Sequence, residues 1–425
     1  MRRWLRERSA RWISVAGWVV LVAIAYPGFM SYDSAAQLAQ VRSGVYTDRA
    51  APVMTFVWSA AEWVLSGPLP MLIVQCGLAL FGITALLRRV LAPRAAAIAA
   101  IGVLLLPPVA SLFGVIWLHS FATAALLAAT GCALQRARRW QVMAAAAGTV
   151  ALACRPELAL AALPLAMLAF DGSRARRVAG ALVAVIACAG VARAADALLI
   201  DEDTDAWASD LMLPDLVGTL QRAHVQDPAT LERALAHLDV IDHATLAARI
   251  GRRHDSFDAH AVTTGPHAIF AAPIASFEHA AVRAAWRRAI AEHPAAYLTH
   301  RVQLAARWLG VRRAGSPIYD NFGDPAQLTP LHHRASRSDL ERAYAAFARA
   351  LEPLYTPVLW LLVGIVAFAL VRERAIRAVL ASGFGFAGSL FVLAPSPEYR
   401  VAHWIVVTGA IGLAAAIGTR TRWRA

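Results

Sequence analysis

The chain contains no lysine: all 41 of its basic residues are arginine. With its heavy use of alanine, this points to a GC-rich bacterial genome and carries no chemical information. Charge of either sign is scarce, at 16% of 425 residues against 59% hydrophobic. That balance excludes a single soluble core and requires lipid as solvent for most of the chain. The four cysteines, Cys76, Cys132, Cys154 and Cys188, sit in apolar stretches without CxxC or Cys/His metal spacing. A disulfide framework is excluded, and they read as small buried side chains. There is no P-loop, no GxGxxG ahead of a helix, no GxSxG and no HExxH, so nucleotide-driven transport and the familiar hydrolase architectures lose their support. Internal repeats and low-complexity tracts beyond alanine richness are also missing. The basic cluster Arg2, Arg3, Arg6, Arg8 and Arg11 precedes an apolar run with no small-residue cleavage site, which reads as an uncleaved first helix.

Apolar segments lie near 12–30, 51–66, 70–87, 95–113, 118–135, 140–154, 157–171, 178–200, 354–371, 378–394 and 401–418, each long enough to cross or nearly cross a bilayer. Arginine clusters fall at the N-terminus, 88–94, 136–139, 174–177, 372–377 and 420–424. By the positive-inside bias these belong in the cytoplasm, together with both termini. Placing Arg88 on the side of the N-terminus forces an odd number of returns between 51 and 87, so one of the two segments there lies in-plane or re-enters. That gives seven crossings before residue 201; the alternative is two short crossings with Arg88 outside.

Residues 201–350 differ in character. They hold 18 acids and 16 arginines, a net charge of −2, whereas the other 275 residues hold 25 arginines and 10 acids, a net of +15. The same bias places this stretch outside, and 11 of the 13 histidines fall in it. Amphipathic periodicity at 231–238, 280–290, 297–309 and 340–351 predicts short helices, with Ser338-Asp339 a start signal. The expected fold class is therefore all-α: a polytopic helical membrane protein with a small, mostly helical external domain inserted before the last three spans. The divisions are 1–200, an N-terminal transmembrane module whose first external loop is 31–50; 201–350, the external domain; and 351–425, the C-terminal transmembrane helices. The basic residues sit in short clusters between apolar runs, which fits the lipid bilayer as partner and not nucleic acid.

Two acids lead the candidate functional residues. Asp33 and Asp48 occupy the first loop, where a carboxylate at the membrane boundary can take a proton from an acceptor hydroxyl or hold a metal. The plainer reading makes Asp33 the cap of a helix over 35–41. Arg49, Arg155 and Arg400 stand at the outer ends of apolar segments. An arginine so close to hydrocarbon needs a partner or a function, and a guanidinium suits a phosphate. Against this, each could snorkel to water, or pair with Glu157 or Glu398. His119 shares its position with Trp117, read as an aromatic-belt anchor. His332-His333, His279, His293 and His300 show no zinc-ligand spacing, and metal dependence stays open.

The order of several short motifs resembles the GT-C superfamily of polytopic glycosyltransferases, which includes protein O-mannosyltransferases and aminoarabinose transferases. These are PG-x-x-S-x-D-S after the first span (Pro27, Gly28, Ser31, Asp33, Ser34), a D-x-H-P-P-like element at 48–52, and Pro107-Pro108 followed by Gly114-Val115-Ile116-Trp117. Arg155 before a further apolar run and a late P-x-x-E-Y-R ending at Arg400 complete the series. The resemblance covers roughly 12–200 and 352–418. Ala50 and Ala51 stand where His and Pro are often found in that superfamily, and Leu118-His119 where Lys-Asp is expected. The resemblance implies a polyprenyl-phosphate-linked sugar as donor substrate and transfer on the periplasmic face of a bacterial inner membrane to a glycan or glycolipid acceptor of the cell envelope. It makes Asp33 the catalytic base or metal ligand, with Asp48 a second acid. Arg49, His119, Arg155, Glu398 and Arg400 would line the substrate and its phosphate. The alternatives are a non-enzymatic transporter or lipid-handling protein, and a catalytically inactive scaffold. A transporter should carry charge at mid-membrane depth, whereas charges here gather at segment ends.

Overall fold

The structure is a computed structural model describing residues 2–225, 227–235, 237–242, 245–251, 257, 262–263, 268–270, 278–312 and 338–422. His332-His333 lie outside that range. Among the described residues the regular structure is all helical, with isolated bridges and no strand.

Helix α1 (Arg2–Ile24) ends at the Pro27-Gly28 turn. Gly28 has φ +122°, a region that side chains resist, and a Cβ there would meet Pro68 and Ile116 at 3.0 and 3.3 Å. Helix α2 (Tyr32–Ser43) opens on a capping box in which Ser31 and Ser34 satisfy each other's backbone N–H, so two orphan donors at the helix start are met locally. The cap is therefore Ser31; Asp33 lies in the first turn and is left available. Helix α3 (Pro52–Glu62) has proline at its start, where the missing N–H is no loss. Its 11 residues rise roughly 16 Å, short of the ~30 Å hydrocarbon core. It runs beside α2, with Gln37 Nε2 on Ala50 O at 2.5 Å and Arg42 on Glu62 at 2.9 Å. Segment 51–66 thus stays at the end where α1 finishes, and α4 (Leu69–Leu87) makes the return.

The chain then runs through α5 (Pro93–Leu105), α6 (Pro107–Phe113), α7 (Leu118–Ala133), α8 (Arg138–Cys154), α9 (Ala159–Ala166) and α10 (Arg174–Leu199). The segment expected as one run over 95–113 is bent by 76° between α5 and α6. Leu106 precedes a proline and adopts an extended conformation, as the Pro ring requires of its neighbour. Helix α7 is buried on nearly every side. It approaches α4 so closely that a Cβ on Gly82 would lie 2.3 Å from Leu127 O, the small-residue packing expected where lipid supplies no hydrophobic drive.

After residue 201 come α11 (Leu213–Arg222), α12 (Pro228–Ala234), α13 (Leu246–Gly251), α14 (His279–Glu292), α15 (Pro294–Trp308) and α16 (Asp339–Ala350). Last are α17 (Pro357–Leu370), α18 (Arg374–Leu393) and α19 (His403–Arg422). The periodicity at 231–238 is displaced: Asp227 caps α12 three residues earlier through Thr230 N, at 2.9 Å, with Pro228 at the first helical position. Ser338 caps α16 through Glu341 N at 3.0 Å, at the expected start. Residues 208–289 bury a small core of their own, including Leu216, Val217, Leu231, Ile250 and Val282. Helices α15 and α16 sit differently: α15 packs on both α11 and α18, and α16 on α1 and α6.

Among the described residues, four segments are long and apolar enough to cross a membrane: Leu69–Leu87, Arg174–Leu199, Arg374–Leu393 and Tyr399–Thr419. The α5–α6 pair makes five if counted as one broken span, and Leu118–Ala133, Pro156–Ala166 and Pro357–Leu370 are apolar but shorter. The composition and these helices are compatible with a multi-pass membrane protein. Its charge is sorted by end. At one end Arg88 meets Glu7 at 2.6 Å, Arg89 meets Glu373 at 3.4 Å, and Arg136 meets Asp171 at 3.2 Å. Arg374 there donates to Met167 O at 2.5 Å. The first loop, residues 153–157 and the loop before α19 gather at the other.

Candidate functional site

Two loops far apart in sequence lock together above the α5–α6 bend. Phe29 N donates to Gly114 O at 2.9 Å, and Ile116 N returns a bond to Phe29 O at 3.1 Å. Ser34 Oγ donates to Ile116 O at 2.8 Å, and Trp117 Nε1 donates to Ser31 Oγ at 2.5 Å. Trp117 is therefore no aromatic-belt anchor. It is 3% exposed, and its ring carries the Arg400 guanidinium at 4.8 Å. Tyrosines from two other segments hold the bend, Tyr344 donating to Leu105 O at 2.9 Å and Tyr399 to Pro108 O at 2.8 Å.

On this platform Asp33 contacts Arg400 directly through Oδ2 and Nη1, and Arg400 also contacts Glu398 through Nε. First loop and last loop meet in one carboxylate–guanidinium–carboxylate cluster. Asp33 is half exposed and Arg400 mostly covered, so the group opens to solvent on the acid side. Arg155 is fully buried, its Nε 2.8 Å from Glu157 Oε1 and its Nη1 3.2 Å from Val401 O, with Phe386 beneath it at 5.0 Å. The expected pairing with Glu157 is present. So is a link that spacing does not show, to the backbone one residue beyond Arg400.

His119 is half buried, and its Nδ1 is shielded without a hydrogen-bond partner. His403 is fully buried, edge-on to Phe113 at 4.8 Å. His119 and His403 thus lie near the paired guanidinium groups of Arg155 and Arg400. Sequence reading missed His403. Its signal was its place three residues after Arg400, at the start of the last helix.

The other first-loop residues face a second space. Asp48 accepts from Thr204 N at 2.8 Å, Thr204 Oγ1 at 2.5 Å and Ala206 N at 2.7 Å, so it fixes the chain that leaves α10. Tyr46 O accepts from Asp201 N at 2.9 Å in the same seam. Arg49 pairs with Asp210 at 2.7 Å. Together these residues border a chamber of about 500 Å³ between the first loop, residues 153–157, the end of α10, residues 203–212 and Leu393/Pro395. Six of its bordering side chains are acidic and three are arginines. Burial pushes the Asp210 carboxyl up, Arg49 pulls it back, and the charges of Asp33 and Asp48 add to the rise. Asp33 and the chamber therefore share one electrostatic field, although Asp33 and Arg400 are not on its wall.

Asp33, Glu398 and Arg400 thus form one cluster, with His119 and Arg155 near it, while Asp48, Arg49 and Glu157 border the adjoining chamber. Among the described residues no three His, Cys, Asp or Glu side chains are arranged to hold a metal ion. Comparison with protein-family models, curated proteins and solved structures finds no match for this chain.

Proposed function

We propose that the protein is a membrane glycosyltransferase of GT-C type, moving a sugar from a polyprenyl-phosphate carrier to a cell-envelope acceptor on the periplasmic face of a bacterial inner membrane. The observation that carries this reading is the contact between Asp33 of the first loop and Arg400 of the last. A base and a phosphate-binding cation are adjacent, at the end of the molecule away from the arginine clusters. With those clusters cytoplasmic by the positive-inside bias, both termini are cytoplasmic and residues 201–350 periplasmic.

In this reading Arg400 exchanges its carboxylate partners for the donor phosphate, which releases Asp33 to take the proton of the acceptor hydroxyl. The Arg155 guanidinium, held in place by Glu157 and Val401 O, adds a preorganised positive charge as charge builds on the leaving phosphate, the arrangement in which preorganised electrostatics lowers a barrier. The neighbouring chamber takes the acceptor. Replacing Asp33→Asn in proteoliposomes supplied with a polyprenyl-phosphate sugar should reduce transfer by at least two orders of magnitude while elution as a folded monodisperse species is kept. Turnover equal to the native protein would remove Asp33 from the mechanism.

A second reading, a non-catalytic lipid-handling protein or scaffold, draws on one observation. Arg155 and Asp48 are both engaged within the protein, Arg155 with Glu157 and Val401 O and Asp48 with Thr204 and Ala206. Polyprenyl-phosphate binding without transfer under the same assay would favour it.

A further inference from the structure

The carboxylates around the chamber are not equivalent. Asp48 is held by the 204–206 backbone, Glu157 by Arg155, Asp203 by Asp205 N, Asp205 by Arg283 and Asp210 by Arg49. Asp196, in the last turn of α10, borders the same space. It is 5% exposed, and its Oδ1 has no hydrogen-bond partner. Arg193, one turn earlier on the same helix face, also borders the chamber and forms no ion pair with it. A carboxylate this buried with an unbonded oxygen is costly, and its presence on a roomy polar space indicates a partner that arrives from outside.

The chemistry of that partner is constrained. An ionised carboxylate only accepts hydrogen bonds, so the arriving group must donate. The surplus of acids over arginines favours a cation, and no three side chains here can enclose a metal ion. A primary ammonium, compact and with three N–H donors, meets these conditions. Leu211, Met212 and Leu393 on the same wall suit the apolar part of an amphipathic molecule.

We propose that Asp196 anchors the primary ammonium group of a molecule entering this chamber, either the headgroup of an amine-bearing phospholipid or an amine-bearing saccharide. This deepens the reading of the chamber as the acceptor side of a transferase and rests on it.

The test uses the full chain and reads binding, so it does not depend on turnover. The protein is reconstituted in nanodiscs containing phosphatidylethanolamine or, in parallel, phosphatidylcholine, whose trimethylated nitrogen keeps the charge and loses its donors. In detergent it is titrated with glucosamine or N-acetylglucosamine. Tryptophan-monitored unfolding reports the saturable shift in midpoint. At least one free amine should bind at least tenfold more tightly than its blocked counterpart, the lipid pair or the sugar pair identifying the source. Asp196→Asn should lose that preference without lowering the unfolding midpoint of the unliganded protein. If the variant does not fold, the comparison of free and blocked amines on the native protein decides alone. Equal binding of free and blocked forms, no saturable binding of either amine, or unchanged binding by Asp196→Asn would overturn the proposal. Asp33→Asn should retain amine binding, so failure of the transferase reading and failure of this one give different results.

Discussion

Among the described residues two guanidinium groups are deeply buried, Arg155 and Arg301, each 1% exposed. Arg301 bonds Asp215 Oδ1 at 2.9 Å and donates to the carbonyls of Phe391, Ala394 and Leu390 at 2.9, 3.1 and 3.2 Å. A five-donor fork suits the end of a helix, where several carbonyls lack partners, and here it ties α15 to the C-terminal end of α18. Arg301→Met should destabilise by about 3–5 kcal/mol, because it leaves Asp215 buried without its cation. Arg301→Lys should recover only part of that, since an ammonium cannot span the three carbonyls. Unfolding midpoints of the two variants check this. Ser31→Ala removes a helix cap worth about 1 kcal/mol and the acceptor of Trp117 Nε1, so it should lower stability and also loosen the seat of Arg400. The cap could have been read from Ser31 and Ser34 three residues apart. Arg301 could not, because nothing in its neighbourhood announces carbonyls ninety residues later.

Among the elements, α15 joins the small core to the membrane helices, and its His300 is a sensor of that junction. The ring is fully buried, stacked on Phe257 at 5.0 Å, with Nε2 3.0 Å from Asp215 Oδ1. Burial lowers the His300 pKa more than Asp215 raises it. The folded state therefore keeps the ring neutral to lower pH than the unfolded chain, which takes up a proton near pH 6.5. The sign follows: stability is level above the unfolded pKa and falls as pH drops below it. Unfolding midpoints measured between about pH 5 and 8 should show that fall, and His300→Asn should flatten it. An unaltered slope in the variant would assign the loss to other groups. The α5–α6 bend was announced by Pro107-Pro108 but not drawn from it, because an apolar run of that length satisfies the span criterion whether straight or bent. Helix α3 was legible in the other direction. Positive-inside bookkeeping asks for one non-crossing segment between 51 and 87 or two short crossings, and the helix beginning at Pro52 has only 11 residues.

At the scale of the whole molecule, charge sorts the two ends. Arginine clusters with a few acids close one, and the paired acids and arginines of the candidate site occupy the other. Reporter fusions after residues 90 and 136 should read cytoplasmic, and one after residue 205 external; a reversed pattern would turn the site toward the cytoplasm. The all-helical architecture with several long apolar helices was legible, since hydropathy is a sum over many residues; of 201–350, residues 208–289 bury a core of their own. The division of that stretch was not legible. Helices α15 and α16 carry amphipathic faces like those of α14, and periodicity does not say which neighbour covers them. The meeting of Pro27–Ser34 with Gly114–Trp117 was legible only as two motifs in order, because their contact depends on the bend between α5 and α6.

The central claim is that Asp33 and Arg400 act as one unit in sugar transfer. A double-mutant cycle on transfer rate from a polyprenyl-phosphate sugar, comparing Asp33→Asn, Arg400→Gln and the pair, tests it most directly. The expected result is a loss of at least a hundredfold in each single variant, with the double variant no slower than the slower single. Singles that retain native turnover, or losses that multiply in the double variant, would contradict it.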